Sequence, residues 1–322
     1  MIDWSIFDKQ YPVEDGIINT LSSELHYDTP INENAKSFFD VHNELKETHQ
    51  TKDLLQNKNN MARLQKDFYD KMASGFQAMD DRDKGSGGVF WWKITRLLEY
   101  DEQFFKRKKL LFIGAGNCRL AMIYAKMGYE VVATDISKNM LAIGKKLAEE
   151  QGIEMIYVVQ NAEQKFPFKS EYFDTVYSLC VVNHIVDWEN YFQEKLRCVK
   201  PDGILLERMP NASLWSFWKN QKDLNDGIEI KAKHCHPDSA KALLEKINVD
   251  GKIWTHDRLI KIDLFLGMAP RKLRLGPSHL LYRMRSYLED RKFKPGNIPQ
   301  NSDRKGIYTM IYIDKKNTSK MK

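Results

Sequence analysis

The stretch Leu110–Ala121, LLFIGAGNCRLA, decides the fold of this chain. Four apolar residues run into Gly-Ala-Gly, and a helical pattern of apolar residues follows. Glycines after a strand let the backbone approach a ligand closely, and the start of a helix offers N–H groups that have no partner within the helix. The stretch therefore predicts a strand, a tight turn and a helix that together bind a nucleotide.

The sequence that follows alternates between strand and helix patterns, which is typical of a parallel sheet covered by helices. Strands are predicted at 109–113, 130–134, 154–160, 173–179, 203–208, 251–255 and 307–314. Helices are predicted at 117–127, 137–151, 188–198 and 236–248. This alternation indicates an α/β core that begins near residue 109.

Upstream of the core the pattern is helical. A helix is predicted at 34–55, and a second at 60–80, where Leu64, Phe68 and Met72 recur at helical spacing. The charged, glycine-rich run DRDKGSGG at 81–88 predicts a break, and an aromatic amphipathic helix is expected at 89–100.

Composition indicates a globular protein with a substantial core, because 42% of the 322 residues are hydrophobic and 29% are charged. The four cysteines form no C-x-x-C pair, which favours a reducing compartment over a disulfide scaffold. No signal peptide is visible at the N-terminus, and no apolar run approaches the roughly 20 residues of a membrane-spanning helix. We therefore expect a cytoplasmic protein.

Charge is concentrated in one segment. Residues 257–305 contain twelve Lys/Arg and five Asp/Glu, whereas the whole chain has a net charge of only +6. A basic helical insert of this kind is compatible with a solvated surface, a phosphorylated acceptor or an anionic membrane. Nucleic acid is disfavoured as a partner because no recognised RNA-binding module accompanies the segment.

Two residues indicate which class of nucleotide cofactor this loop binds. Asp135 lies 19 residues after Gly116, at the end of the second core strand, where a carboxylate accepts hydrogen bonds from ribose hydroxyls. A dinucleotide fingerprint would need glycine at position 119, which is occupied by Arg119. The pattern fits an adenosine cofactor and disfavours, as an alternative, an NAD-dependent oxidoreductase.

Four motifs then occur in order over residues 109–209: FIGAGNCRLA, VVATDISKNMLAIGKK, QNAEQKFPFKSEYFDTVYSLCVVNHIVDW and KLRCVKPDGILL. This segment resembles the class I S-adenosylmethionine-dependent methyltransferases, above all the branch that includes quinone-biosynthesis and small-molecule enzymes. In that family the motifs are the glycine loop, the ribose-binding acidic residue, the adenine-side loop and the turn into strand five.

The resemblance implies an α/β fold class with a Rossmann-like, mostly parallel seven-stranded sheet and an antiparallel last strand. It adds N-terminal helices and a helical insert before that strand. The expected division is an N-terminal helical lid at 1–105, a cofactor-binding core at 106–256, the basic insert at 257–305, and the last strand with its tail at 306–322.

The function implied is methyl transfer from S-adenosylmethionine to the oxygen, nitrogen, sulfur or carbon of a small-molecule acceptor. A non-catalytic protein that binds an adenosine cofactor or docks to a membrane is a further alternative. Acceptor identity and oligomeric state stay open.

Carried over onto this chain, the resemblance assigns the cofactor to ten residues. They are Tyr69, Gly114, Ala115, Gly116, Asp135, Ile136, Met140, Asn161, Ala162 and Cys180. Cys118 stands at the third glycine position of the family. Asn161 replaces an aspartate that contacts the adenine amino group, and its carbonyl oxygen is expected to accept a hydrogen bond instead.

Three histidines are candidates for a general base. His184 follows strand four at the carboxyl edge of the sheet, where ligands bind in open α/β sheets. His234 and His236 belong to KHCHP, before a helix on the substrate side. No metal is expected there, because zinc ligands usually converge from two chain segments and no partner cluster is present.

Overall fold

A computed structural model describes residues 3–26, 28–30, 58–85, 97–106, 108–210, 237–258 and 306–318 of the chain. The strands are β1 (Val13–Glu14), β2 (Ile17–Asn19), β3 (Lys109–Ile113), β4 (Glu130–Asp135), β5 (Ile156–Val159), β6 (Phe173–Leu179), β7 (Val199–Pro210), β8 (Lys252–Arg258) and β9 (Gly306–Asp314). The labelled α-helices are α1 (Lys58–Gly85), α2 (Arg119–Lys126), α3 (Lys138–Glu149), α4 (Trp188–Cys198), α5 (Pro237–Lys246) and α6 (Lys315–Thr318).

One sheet contains all of these strands, in the order β1-β2-β5-β4-β3-β6-β7-β9-β8. The central strand β3 pairs in parallel with β4 on one side and with β6 on the other. The last strand, β9, runs antiparallel between β7 and β8. The predicted fold class, a mostly parallel sheet with an antiparallel last strand, is confirmed.

Both faces of the sheet are buried, which explains the continuous apolar run of β3. Leu110 and Phe112 point into the core on one face, which α2 and α3 cover. Leu111 and Ile113 point into the core on the other face, which α4 and α5 cover. All four side chains are at most 1% exposed, so this one run contributes buried residues to the hydrophobic cores on both faces of the sheet.

The bounds of β3, β6 and α4 agree with the predicted ranges 109–113, 173–179 and 188–198. The predicted break at 81–88 is wrong in its first part, because α1 continues through Gly85. Asp, Arg and Lys are tolerated in a helix, and the glycine falls on the last helical residue, where its conformational freedom costs least.

Among the described residues the sheet has two strands more than the expected seven. β2 pairs in parallel with β5, and β1 pairs antiparallel with β2. Strands of two or three residues are too short to show a periodic pattern, so the sequence carried no signal for them.

Several predictions fall outside the described residues. These are the helix at 34–55, most of the aromatic helix at 89–100 and almost all of the basic insert at 257–305. Residues 97–102 are helical, in line with the end of the aromatic helix. In the part of the chain that the structure describes, none of the helices combines the length and apolarity needed to cross a bilayer.

Candidate functional site

A cavity of about 330 Å³ lies at the carboxyl ends of β3, β4 and β6, where the strand order reverses. Ligands bind at such a switch point because the loops on either side of it diverge. Its described lining residues are Met61, Ala62, Gln65, Tyr69, Ile113, Gly114, Ala115, Gly116, Asn117, Leu120, Asp135, Ile136, Met140, Asn161, Ala162, Glu163, Leu179, Cys180, Val181, His184 and Ile185.

The glycine loop after β3 forms the floor of the cavity and needs its glycines. Gly114 and Gly116 have φ of +68° and +55°, in the left-handed region that favours glycine. A Cβ on Gly114 would lie 2.2 Å from Cγ2 of Val181, on the loop after β6. The glycine therefore allows two loops of the cavity to meet.

Cys118 adopts a left-handed φ of +56° although it is not a glycine, and it precedes the first turn of α2. The close packing at this point depends on Gly144 in α3, because a Cβ there would lie 2.6 Å from Cβ of Cys118. The missing third glycine of the loop thus leaves the tight turn intact, and a glycine from the neighbouring helix makes room for the Cys118 side chain.

Asp135 connects the glycine loop to the start of α3. Its Oδ2 accepts a hydrogen bond from the backbone N–H of Gly116 at 2.8 Å, and its Oδ1 accepts one from Ser137 at 3.0 Å. Burial raises the pKa of Asp135 from its ordinary value of 3.8 to about 6, and the negative charge of Asp70 contributes to the rise. The group is a carboxylate at neutral pH, with lone pairs left for ligand hydroxyls.

Asn161 offers a hydrogen-bond donor in addition to the acceptor that the sequence predicts. Its carbonyl Oδ1 already accepts a hydrogen bond from the backbone N–H of Glu163 at 2.9 Å. Its Nδ2 is buried and has no hydrogen-bond partner among the described residues. Asn161 therefore has an unused donor, which suits an acceptor such as an aromatic ring nitrogen rather than an amino group.

Glu163 joins the loop after β5 to the loop after β6. Its carboxylate accepts hydrogen bonds from the backbone N–H groups of Val186 and Asp187. Asp187 in turn caps α4 by accepting a hydrogen bond from Asn190 N at 3.0 Å. These contacts hold in place the short 3-10 turn Val182–His184 on the cavity wall.

His184 meets α1 across the cavity. Its Nε2 lies 3.1 Å from the hydroxyl of Tyr69 and 3.1 Å from Nδ2 of Asn183. An amide nitrogen only donates, so Nε2 is the acceptor in its contact with Nδ2 of Asn183. Burial raises the pKa of Tyr69, which keeps its phenol protonated.

Cys180 lies at the end of β6 with a left-handed φ of +57°. Its backbone N–H donates to the carbonyl of Arg208 at 2.7 Å. Burial raises the pKa of its thiol to about 12, so the side chain is a neutral wall of the cavity and not a nucleophilic thiolate.

All ten predicted cofactor residues and His184 line this one cavity. His234 and His236 lie outside the described residues. The cavity is also lined by residues that the sequence did not predict, among them Met61 and Gln65 of α1 and Glu163 of the adenine-side loop. Of these three, only Glu163 lies within a recognised motif. Within the described ranges, no group of three or more His, Cys, Asp and Glu side chains could hold a metal ion.

The residues present fit an adenosine cofactor. The backbone of Gly114 leaves room where a Cβ would clash. The carboxylate of Asp135 lies at the end of β4, and Nδ2 of Asn161, beside Ala162, is an unused amide donor. Among the described lining residues none is a lysine or arginine, so the cavity offers no cation to a phosphate. This arrangement suits a nucleoside better than a dinucleotide with its pyrophosphate.

Residues 111–206 match a family model described as a methyltransferase domain. The chain is 28% identical over 149 residues to the ubiquinone biosynthesis O-methyltransferase of Aliivibrio fischeri strain MJ11, covering 46% of this chain and 63% of that protein. It is 31% identical over 153 residues to the protein of the same name from Dinoroseobacter shibae, covering 45% and 61%. The matches thus span less than two thirds of these curated relatives.

Among solved structures, the chain is similar to a Thermotoga maritima protein described as an S-adenosylmethionine-dependent methyltransferase and a possible histamine N-methyltransferase. The TM-score is 0.50 at 15% identity, and the match covers 76% of this chain and 99% of the other. At that identity the likeness shows a shared fold.

Proposed function

We propose that this chain, whose core is a methyltransferase domain of the class I S-adenosylmethionine-dependent family, transfers a methyl group to a hydroxyl of a small-molecule acceptor. One observation carries the proposal: at the floor of the cavity the Gly114–Gly116 loop is hydrogen-bonded to Asp135, and both lie within the matched domain. The O-methyltransferase relatives support oxygen as the methylated atom.

The bound cofactor supplies a methyl group that is already activated by attachment to a positively charged sulfur. The residues of this chain bind and orient its adenosine part. Asp135 accepts hydrogen bonds from the ribose hydroxyls, Ile136 packs on the adenine, and Asn161 donates to a ring nitrogen. Orientation of this kind contributes roughly 7–11 kcal/mol in well-aligned reactions.

Tyr69 and His184 provide a route for the acceptor's proton. Tyr69 and His184 both line the cavity, and the Tyr69 hydroxyl lies 3.1 Å from Nε2 of His184. A proton that leaves the acceptor hydroxyl passes to the Tyr69 oxygen while the proton of Tyr69 moves to Nε2. Tyr69 is then the group that touches the acceptor, and His184 stores the proton.

Replacing His184 tests this route. We expect His184→Gln to slow methyl transfer by about 10²- to 10⁴-fold, since glutamine fills the site but does not take up a proton at neutral pH. The measurement is release of S-adenosylhomocysteine with catechol as a neutral probe acceptor. Tyr69→Phe serves as the partner variant and should lose a similar factor. Unchanged rates in both variants would contradict the proton route.

Binding of S-adenosylhomocysteine tests the proposed function itself. We expect calorimetry at pH 7.5 to show binding, and the affinity to fall about tenfold per pH unit below about pH 6 as Asp135 is protonated. The protonated carboxyl no longer offers both oxygens to the ribose hydroxyls. Absence of binding by the folded protein, or binding of NADH instead, would overturn the proposal.

Asp135→Asn is the matched control for this titration, because the amide keeps the shape but has no charge to lose. It should bind weakly with a flat pH profile. The stability of the ligand-free protein should change with pH in the opposite direction to the affinity. Because the pKa of Asp135 is raised in the folded state, the free energy of unfolding of the protein rises as the pH falls from about 6 to about 4.

The proposal also includes a cytoplasmic location, supported by the unpaired thiols of Cys118, Cys180 and Cys198. A contact of the basic segment 257–305 with a phosphorylated acceptor or an anionic membrane stays a prediction. So does the division of the chain into a lid, a core and an insert.

A further inference from the structure

The cavity is completed by α1, a helix outside the matched domain. α1 supplies Met61, Ala62, Gln65 and Tyr69 to the cavity wall and packs against α3. The function proposed above therefore depends on how α1 is held over the α/β core. The contacts that hold it converge on one buried side chain.

That side chain is Asp70, which is 1% exposed and adjoins Tyr69. Its Oδ1 accepts hydrogen bonds from the Ser137 hydroxyl and from the backbone N–H of Asn139 at 3.2 Å. Both donors belong to the N-terminal turn of α3, where the helix dipole favours a negative charge. Asp70 thus caps a helix of the core from outside it.

The charge of Asp70 is balanced within α1. Lys66, one turn earlier and 2% exposed, donates from Nζ to Oδ2 of Asp70 at 2.8 Å. Lys66 also donates to the hydroxyl of Thr29 at 3.2 Å, and the Asn139 amide donates to the backbone carbonyl of Thr29 at 2.8 Å. A buried ion pair with every partner in place fixes one geometry between the two helices.

Ser137 extends this contact to the cofactor carboxylate. Its hydroxyl donates to Asp70 and accepts from Met140 N at 3.1 Å, while its backbone N–H donates to Oδ1 of Asp135 at 3.0 Å. Two hydrogen bonds therefore separate α1 from Asp135. A shift of Asp70 would move both the wall that carries Tyr69 and the group that holds the ribose.

We infer that Asp70 is a positioning residue for methyl transfer, which fastens α1 to the N-terminus of α3 through Ser137 and so assembles the cofactor cavity. The inference rests on the proposed function for its binding readout. It makes the N-terminal helix part of the active unit, because α1 both lines the cavity and is hydrogen-bonded to the start of α3 through Asp70. Loss of the fastening lowers the fraction of molecules with a complete cavity, and the apparent affinity falls by the same factor.

The test uses the full chain with Asp70→Asn, and Arg63→Gln as its control. Arg63 lies on the same helix, its side chain is 47% exposed, and its guanidinium lies 3.9 Å from the carboxylate of Glu24, which is not part of α3. We expect Asp70→Asn to raise the Kd for S-adenosylhomocysteine about tenfold and to speed hydrogen exchange in α1 by a similar factor. Arg63→Gln also removes a charge from α1 but should leave both near the wild-type values.

A pH profile separates positioning from mere helix packing. The titratable side chains that face Asp135 are Tyr69 and Asp70 from α1 and Cys118 from the glycine loop, and burial keeps the tyrosine and the cysteine neutral. Lys66 neutralises Asp70 in part. Removing the charge of Asp70 should therefore move the midpoint of the binding profile below about 6, since Asp70 contributes to the raised pKa of Asp135.

Ser137→Ala keeps the inference testable if Asp70→Asn does not fold, because the Lys66–Asp70 pair stays intact. In this variant hydrogen exchange in α1 should be faster than in the wild type, while the midpoint of the pH profile of ligand binding stays at about 6. Wild-type exchange in α1 and wild-type affinity in both variants would overturn the inference. Failure of the wild-type protein to bind S-adenosylhomocysteine would instead overturn the proposed function, and the exchange experiment would still decide the role of Asp70.

Discussion

Gly114→Ala should weaken binding of S-adenosylhomocysteine by at least about 100-fold, equivalent to about 2.8 kcal/mol. The added Cβ would lie 2.2 Å from Cγ2 of Val181, so the glycine loop and the loop after β6 have to separate. That separation opens the cavity at its floor and pulls Gly116 away from Asp135. Calorimetry or ligand-induced thermal stabilisation measures the loss.

Gly152→Ala is the control for the backbone cost of this change. Gly152 has a φ of +64°, close to the +68° of Gly114, but a Cβ there meets nothing within 4 Å. Both variants lose about 1–2 kcal/mol of stability from the left-handed conformation. Only Gly114→Ala should lose the ligand, and equal affinities in the two variants would show that Val181 does not constrain the loop.

Lys195→Met should lower the free energy of unfolding by about 3–5 kcal/mol. Lys195 of α4 and Glu207 of β7 are both 0% exposed, and Nζ lies 2.6 Å from Oε2 of the glutamate. Burial lowers the pKa of Lys195 and raises the pKa of Glu207, so each group depends on the other to stay ionised. Without the lysine, a carboxylate is left in the core, and urea denaturation measures the cost.

The double variant Lys195→Met with Glu207→Met should recover most of that loss, because it leaves no charge and the Tyr191 hydroxyl still donates to Ser178 at 3.1 Å. Lys145→Met is the surface control. Its partner Glu149 is 61% exposed, and pairs of that kind contribute about 1 kcal/mol or less. A loss at Lys195 no larger than at Lys145 would mean that the buried pair contributes little.

The core of the fold was accessible from the sequence because its signals are local. β3 contains the run of four apolar residues LLFI, β6 (FDTVYSL) is rich in β-branched and aromatic residues, and Ser137 has the residue type that caps a helix. The cofactor residues were found together because the family motifs occur in a fixed order. That order places the ends of β3, β4 and β6 at one edge of the sheet.

The structural features that the sequence did not predict depend on contacts between segments that are far apart in the chain. Lys66 and Asp70 have the i,i+4 spacing that is typical of an exposed ion pair on a polar helix, yet both side chains are buried against α3. Lys195 and Glu207 belong to different elements, and nothing in either local pattern indicates burial. For Asn161, residue type predicted an acceptor, and the structure adds a buried amide donor, Nδ2, that has no hydrogen-bond partner among the described residues.

The position of β9 between β7 and β8 has a consequence for biogenesis. β8 has no partner other than β9 among the described strands, and β9 is made about fifty residues later on the ribosome. Until those residues emerge, β7 presents an open edge of the kind that recruits other chains. During synthesis the nascent chain therefore holds the strands that carry the cofactor residues together with an unpaired edge at β7, and β9 closes that edge when it emerges.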